Sequence, residues 1–210
     1  MEQVEYWDSV SQTKEFTTPF RADLFARYVP REASVLDVCC GYGRTLTELS
    51  GLGYTRLYGV DFSAKLIARA QREGVRAQFS IADCTALPYD DGQFDAAILF
   101  AALTCLVDDH AQRRTIEEIL RVLKPSARLY VNDFLLNDDQ RNLARYEQFA
   151  EKLGYGAFEL PEGATLRHHR EEYILELLSD FQTELYQREI FRTMNGHVSN
   201  GFVYIGRKKE

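Results

Sequence analysis

The stretch VLDVCCGYGR, residues 35–44, constrains this chain more than any other. An apolar run ends at the acid Asp37, the chain turns through Gly41 and Gly43, and a helical pattern, RTLTELSGLG, begins at Arg44. Glycines let a ligand approach the backbone, and a helix start presents free N–H groups. A buried strand turning this way into a helix is a nucleotide-binding start. The question is which nucleotide it holds.

The rest of the chain alternates in the same manner. SVLDV, RLYGV, AQFSIAD, FDAAILF and ARLYVNDF read as strands. Between them lie helical patterns, among them AKLIARAQRE, capped by Ser63, and DHAQRRTIEEILRVLKP, which stops at Pro125. Such alternation predicts a parallel sheet with helices on both faces. From 135 to 168 the pattern changes to a long insertion. Its first half is helical, with Tyr146, Phe149, Ala150 and Leu153 on one stripe, and its second half, YGAFELPEGATLRHH, reads as irregular. A helix, REEYILELLSDF, then leads into the strand-like runs TELYQREIF and GFVYIGRK. Asn195-Gly196 and Asn200-Gly201 between those runs predict a hairpin loop. The 210 residues are read as one domain, with 1–30 as an N-terminal cap segment and 135–168 as a lid.

Three ligands compete for the glycine turn. A phosphate loop needs G-x-x-x-x-G-K-[ST], which does not occur here. A dinucleotide fold needs G-x-G-x-x-G, and the third position is Leu46, which hinders close helix–strand packing and pyrophosphate access. The third ligand is S-adenosylmethionine, which carries a nucleoside and an amino acid but no phosphate.

The stretches VLDVCCGYGR, LYGVDFS, ADCTALPYDDGQFDAAILF and EILRVLKPSARLYV occur in the order and spacing of a known family. The chain resembles the class I S-adenosylmethionine-dependent methyltransferases of small-molecule type, from residue 35 to about 131. The resemblance implies a Rossmann-like α/β fold: a mostly parallel seven-stranded sheet ending in an antiparallel hairpin. It also implies roles. Cys39, Gly41 and Gly43 would wrap the methionine part of the donor, with Asp37 ordering its ammonium group. Asp61 would accept from the ribose hydroxyls and Phe62 would pack on the adenine. Asp83 and the Cys84 backbone would face the adenine amino group, and Phe100 with Ala101 would lie near the sulfonium. The product would be S-adenosyl-L-homocysteine. The alternative is a noncatalytic S-adenosylmethionine-binding or interaction protein on the same fold.

Cys39 stands where the family has its first glycine, which a cysteine can replace if its φ stays negative. The pair Cys39–Cys40 is read as loop and core thiols. With no C-x-x-C, no metal site is expected.

On the acceptor side, Tyr6 and Trp7 match an aromatic pair that often covers the methyl donor in the family. Packing of the N-terminal helix on the core explains them equally. RHHREE, residues 167–172, brings His168 and His169 to the edge where an acceptor would sit. They are either a general base or acceptor hydrogen bond, or solvated helix-start residues. The charge runs DDQRNLAR and GRKKE read as solvated faces.

A net charge of −7 and the absence of D/N-P-P-Y after the fourth strand point away from nucleic acid, toward a small-molecule acceptor. The longest apolar stretch, AAILFAALTCLV, is too short to span a bilayer, and the N-terminus has no basic head before an apolar run. A cytoplasmic protein is expected.

Overall fold

The computed structural model describes residues 3–193 and 196–209. Two helices, α1 (Gln3–Val10) and α2 (Ala22–Tyr28), precede the alternating region. That region runs β1 (Ser34–Val38), α3 (Arg44–Gly51), β2 (Arg56–Asp61), α4 (Ala64–Arg72), β3 (Gln78–Ile81), β4 (Phe94–Phe100), α5 (Asp109–Val122) and β5 (Leu123–Phe134). After it come α6 (Gln140–Leu153), β6 (Ala157–Glu159), β7 (Thr165–Arg167), α7 (Glu171–Leu177), β8 (Phe181–Arg192) and β9 (Val198–Lys208).

The seven-stranded sheet has the order β3-β2-β1-β4-β5-β9-β8. β1 to β5 are parallel, and β9 and β8 close the far edge antiparallel. β1 is buried along its whole length, as a central strand with both faces covered must be. One face packs Leu24 and Phe25 of α2, Leu46 and Leu49 of α3 and Ile67 of α4. The other packs Ile116 and Ile119 of α5 with Ile174 and Leu177 of α7. The expected Rossmann-like sheet is therefore present. Among the described residues no helix is long and apolar enough to cross a membrane.

Local chemistry starts the helices as expected. The Ser63 hydroxyl accepts from the Leu66 N–H at 3.1 Å, and Asp108 and Asp139 cap α5 and α6 in the same way. Three elements differ from expectation. α5 ends at Val122, before Pro125, because the residue ahead of a proline is pushed out of helical geometry, and the chain is already extended at Leu123. The irregular half of the insertion contains the two-stranded β6–β7 hairpin. Asn200-Gly201 is no turn; it lies inside β9. A side chain at Gly201 would meet the Phe191 ring at 2.1 Å, so the glycine makes room for an aromatic ring across the hairpin. Residues 194 and 195, part of the expected hairpin loop, lie outside the described residues.

Candidate active site

The parallel strands end at one edge of the sheet, and the loops leaving them wall a cavity of about 400 Å³. Strand order sets the order of residues along it. Asp83 with Cys84, Asp61 with Phe62, and Asp37 with Cys39 and Gly41 stand at or just past the C-terminal ends of β3, β2 and β1, and all line the cavity. Phe100 ends β4 at the middle, and Phe134 ends β5 beyond it. Arg141, Arg145, Phe158, Leu160, Leu166 and His168, all from the insertion, complete the far end.

At the first end, Asp61 ties the glycine turn down. Its Oδ2 accepts from the Gly41 N–H at 2.8 Å and its Oδ1 from the Ser63 N–H at 2.9 Å. Burial raises its pKa, and these two N–H donors oppose the rise. Asp37 is buried, and its Oδ2 has no hydrogen-bond partner among the described residues. Burial pushes this carboxyl up to about 8, against the pull of Arg44. Asp83 is exposed, and its Oδ1 accepts from the Thr85 N–H and hydroxyl.

All four cysteines line the cavity, and none is in a disulfide. The neighbouring Cys84 thiol and burial push the Cys39 pKa up, and burial does the same to Cys40. Low-pKa, exposed thiols are the reactive kind, and Cys39 and Cys40 are not of it, whereas the Cys39 thiol lowers the pKa of Cys84. Cys39 departs from expectation in its backbone: φ is +59°, in the left-handed region, not negative. The turn keeps the conformation that a glycine would take, and a cysteine bears it.

At the far end, His168 is held by a polar network behind it. The Asn137 amide is oriented by two bonds: its Oδ1 accepts from the Asn200 N–H at 2.7 Å and its Nδ2 donates to the Leu135 carbonyl at 2.9 Å. That places the Asn137 NH₂ 3.1 Å from His168 Nδ1. The Tyr146 hydroxyl, which accepts from the Asn137 N–H, lies 2.6 Å from the same nitrogen. The Asn137 NH₂, which also reaches Ser199 Oγ at 3.1 Å, and the Tyr146 hydroxyl both face Nδ1, an arrangement that favours the tautomer with the ring proton on Nε2. Burial, with Arg145 nearby, keeps His168 well below the usual histidine pKa, so it stays neutral. Phe134 stacks on the ring, centroids 5.5 Å apart, and Phe158 meets it edge-on at 5.1 Å.

Eleven of the residues given a donor-site or acceptor-site role from the sequence line the cavity: Asp37, Cys39, Gly41, Asp61, Phe62, Asp83, Cys84, Phe100, Ala101, Trp7 and His168. Three stand back from it. Gly43 starts α3 behind the turn. Tyr6 is buried beside Trp7, its hydroxyl accepting from Lys14 Nζ at 3.1 Å. His169 is buried behind the wall, its Nε2 2.8 Å from Gln112 Nε2 and its ring stacked on Tyr173. Neither histidine is solvated.

Sequence reasoning missed Arg44, Thr17, Thr18, Arg141, Arg145, Thr193 and His197, which also line the cavity. Phe16 stacks on Tyr42 at 5.0 Å and meets Trp7 edge-on at 6.0 Å, so the N-terminal segment closes the cavity from one side. DDQRNLAR is mostly exposed, as expected of a solvated face, but Arg141 and the half-buried Arg145 also line the cavity. Their spacing of four, with Tyr146 next to the second, was the available signal.

A family model described as a methyltransferase domain matches residues 35–126. A solved S-adenosylmethionine-dependent methyltransferase from Methanosarcina mazei superposes with a TM-score of 0.85 at 27% identity, covering 92% of this chain and 99% of that one. By the matched domain and by its fold the chain is similar to the S-adenosylmethionine-dependent methyltransferases. Among curated relatives, the 27-O-demethylrifamycin SV methyltransferase of Amycolatopsis mediterranei is 28% identical over 87% of this chain and 69% of its own length. The 2-phytyl-1,4-naphtoquinone methyltransferase of Trichormus variabilis is 37% identical over 50% of this chain. The chain spans only 48% of that second relative's length.

Proposed function

We propose that this protein moves a methyl group from S-adenosyl-L-methionine to a small organic acceptor. The donor would lie at the acid-lined end of the cavity and the acceptor under the insertion. The observation that carries this reading is a single cavity with two chemically different ends. The names of the two relatives, a demethylrifamycin and a naphtoquinone methyltransferase, support a small acceptor.

The residues at the first end fit the donor. The unpartnered Oδ2 of Asp37 would take the ammonium group, and Asp61, with lone pairs to spare beyond its two backbone bonds, the ribose hydroxyls. Phe62 would cover the adenine and Asp83 Oδ2 accept from its amino group. When bound, S-adenosylmethionine supplies an electrophilic methyl carbon, so the protein's share is alignment and exclusion of water. The aromatic walls and the cover formed by 135–168 would serve that share. His168 would act by donating its Nε2–H to an acceptor oxygen. A base role would require the proton on Nδ1, where it would face the Asn137 NH₂. His169 would brace the wall.

The test combines binding and turnover. Asp61→Asn weakens S-adenosylhomocysteine binding by about tenfold or more, because a charge-assisted acceptor and one tie to the turn are lost together. Calorimetry checks this in a variant shown to be folded. An acceptor-library screen that reads out S-adenosylhomocysteine separates an enzyme from a noncatalytic binder, since only the enzyme turns over.

A further inference from the structure

The cavity is divided by charge. Asp83, Asp61 and Asp37 stand at or just past the C-terminal ends of β3, β2 and β1, so the acids sit along one half of the sheet edge. The walls beyond β5 and the β8–β9 hairpin carry Arg141, Arg145, His168 and His197 and, among the described residues, no carboxylate. The chain as a whole carries −7, so two arginines facing one cavity are not a by-product of a basic surface.

Arg145 is the informative one. It is half-buried on α6, its guanidinium carbon 3.4 Å from the centre of the Phe158 ring. Its Nε is buried without a partner, and no carboxylate lies within ion-pair distance of it among the described residues. Arg141, one turn earlier, approaches only Asp139, at 3.9 Å. Burial holds the Arg145 pKa below the usual arginine value, with Arg141 adding to the effect. A cation drawn partly out of water with no counter-charge is unfavourable unless a ligand supplies one. Around it, the cavity is lined by the apolar side chains of Phe134, Phe158, Leu160 and Leu166 and by His168.

We infer that the acceptor is a flat, largely apolar molecule bearing an oxyanion, read by Arg145 with Arg141 behind it and by the His168 Nε2–H. It rests on the methyl-transfer reading for the word acceptor, but not for the anion preference of this wall. A carboxylate and an ionised acidic hydroxyl both supply the required chemistry: a delocalised negative oxygen pair or single oxygen that a planar guanidinium can grip.

The experiment is calorimetry at pH 7, with and without saturating S-adenosylhomocysteine, using two matched pairs of probes. Naphthoate against naphthamide tests the carboxylate, and dinitrophenolate against dinitroanisole tests the ionised hydroxyl. The anionic member of at least one pair binds about tenfold or more tightly than its neutral partner. Arg145→Met removes that preference while S-adenosylhomocysteine still binds, and Arg145→Lys restores part of it. Equal binding of anionic and neutral probes overturns the inference, as does a preference that survives Arg145→Met. If the Met variant does not fold, the wild-type ratio and its fall with added salt decide the matter. Failure of S-adenosylhomocysteine to bind counts against methyl transfer alone, because the probe pairs are also read without it.

Discussion

At the scale of single residues, Cys39 is where the chain bends its own rules. A non-glycine residue at φ +59° costs about 1–3 kcal/mol when the surrounding structure enforces it. The turn enforces it here: Gly41 N–H is held by Asp61, and the Cys40 N–H donates to the Val60 carbonyl at 3.0 Å. Glycine would remove that strain but loosen the unfolded chain by about 0.4–1 kcal/mol. Cys39→Gly therefore melts at or above the wild-type temperature. It also melts above Cys39→Ala, which keeps the strain and loses the same thiol. The gap between the two variants is about 2–4 °C per kcal/mol for a chain of this size. Thermal denaturation of the pair checks it, and an alanine variant more stable than the glycine one would remove strain from the account. The sequence showed that a glycine position had been filled. It could not show the sign of φ, which depends on the hydrogen bonds that close the loop.

At the scale of elements, the return of the insertion is pinned from both sides. The His168 N–H donates to the Gly156 carbonyl at 2.9 Å, the His169 N–H to the Phe134 carbonyl at 3.2 Å, and the Leu136 N–H to the His169 carbonyl at 2.9 Å. Gly156 has φ +100°, and a side chain on it would stand 2.6 Å from the His168 carbonyl oxygen. Gly156→Ala must therefore push His168 off its seat. The expected result is a several-fold rise in acceptor KM and a stability loss of about 1–3 kcal/mol, with S-adenosylhomocysteine affinity little changed. Equal loss at both ends of the cavity would mean that the insertion and the glycine turn move as one piece. Strands β1, β2, β4 and β5 were legible because they lie inside the sheet and carry apolar runs, the edge strand β3 because it continued the alternation, and the helices because each carries an apolar face of period near four. β6 and β7 were not, since each is three residues long and glycines surround them. Arg145 was hidden for another reason: a charged residue beside an aromatic one on a helix reads as surface until the element packed against it is known.

At the scale of the whole molecule, the buried titratable groups make stability depend on pH in a way that donor binding should alter. Burial raises Asp37 to about 8 and Asp133 to about 7, whereas both titrate near 3.9 when unfolded. Between those limits the native state holds protons that the unfolded chain has released, so these two groups make stability fall as pH rises. His168 and His169, the latter down to about 3, act in the opposite direction below about 6.5, where only the unfolded chain binds their protons. The two effects oppose each other from about pH 4 to 6.5. Above it only the aspartates remain, and stability without donor falls toward pH 8, by up to about 1.4 kcal/mol per pH unit for each group still titrating. Asp133 accepts from the Thr104 and Phe134 N–H groups and does not line the cavity, so a ligand leaves it alone. Asp37 does line it. A ligand ammonium beside Asp37 favours the carboxylate and expels its proton. Binding of S-adenosylhomocysteine at pH 7 therefore releases close to one proton, seen as a binding enthalpy that changes with the ionisation enthalpy of the buffer. In Asp37→Asn the affinity drops and the buffer dependence disappears. A wild-type enthalpy that is the same in phosphate and in Tris would show that the ammonium group does not meet a protonated Asp37.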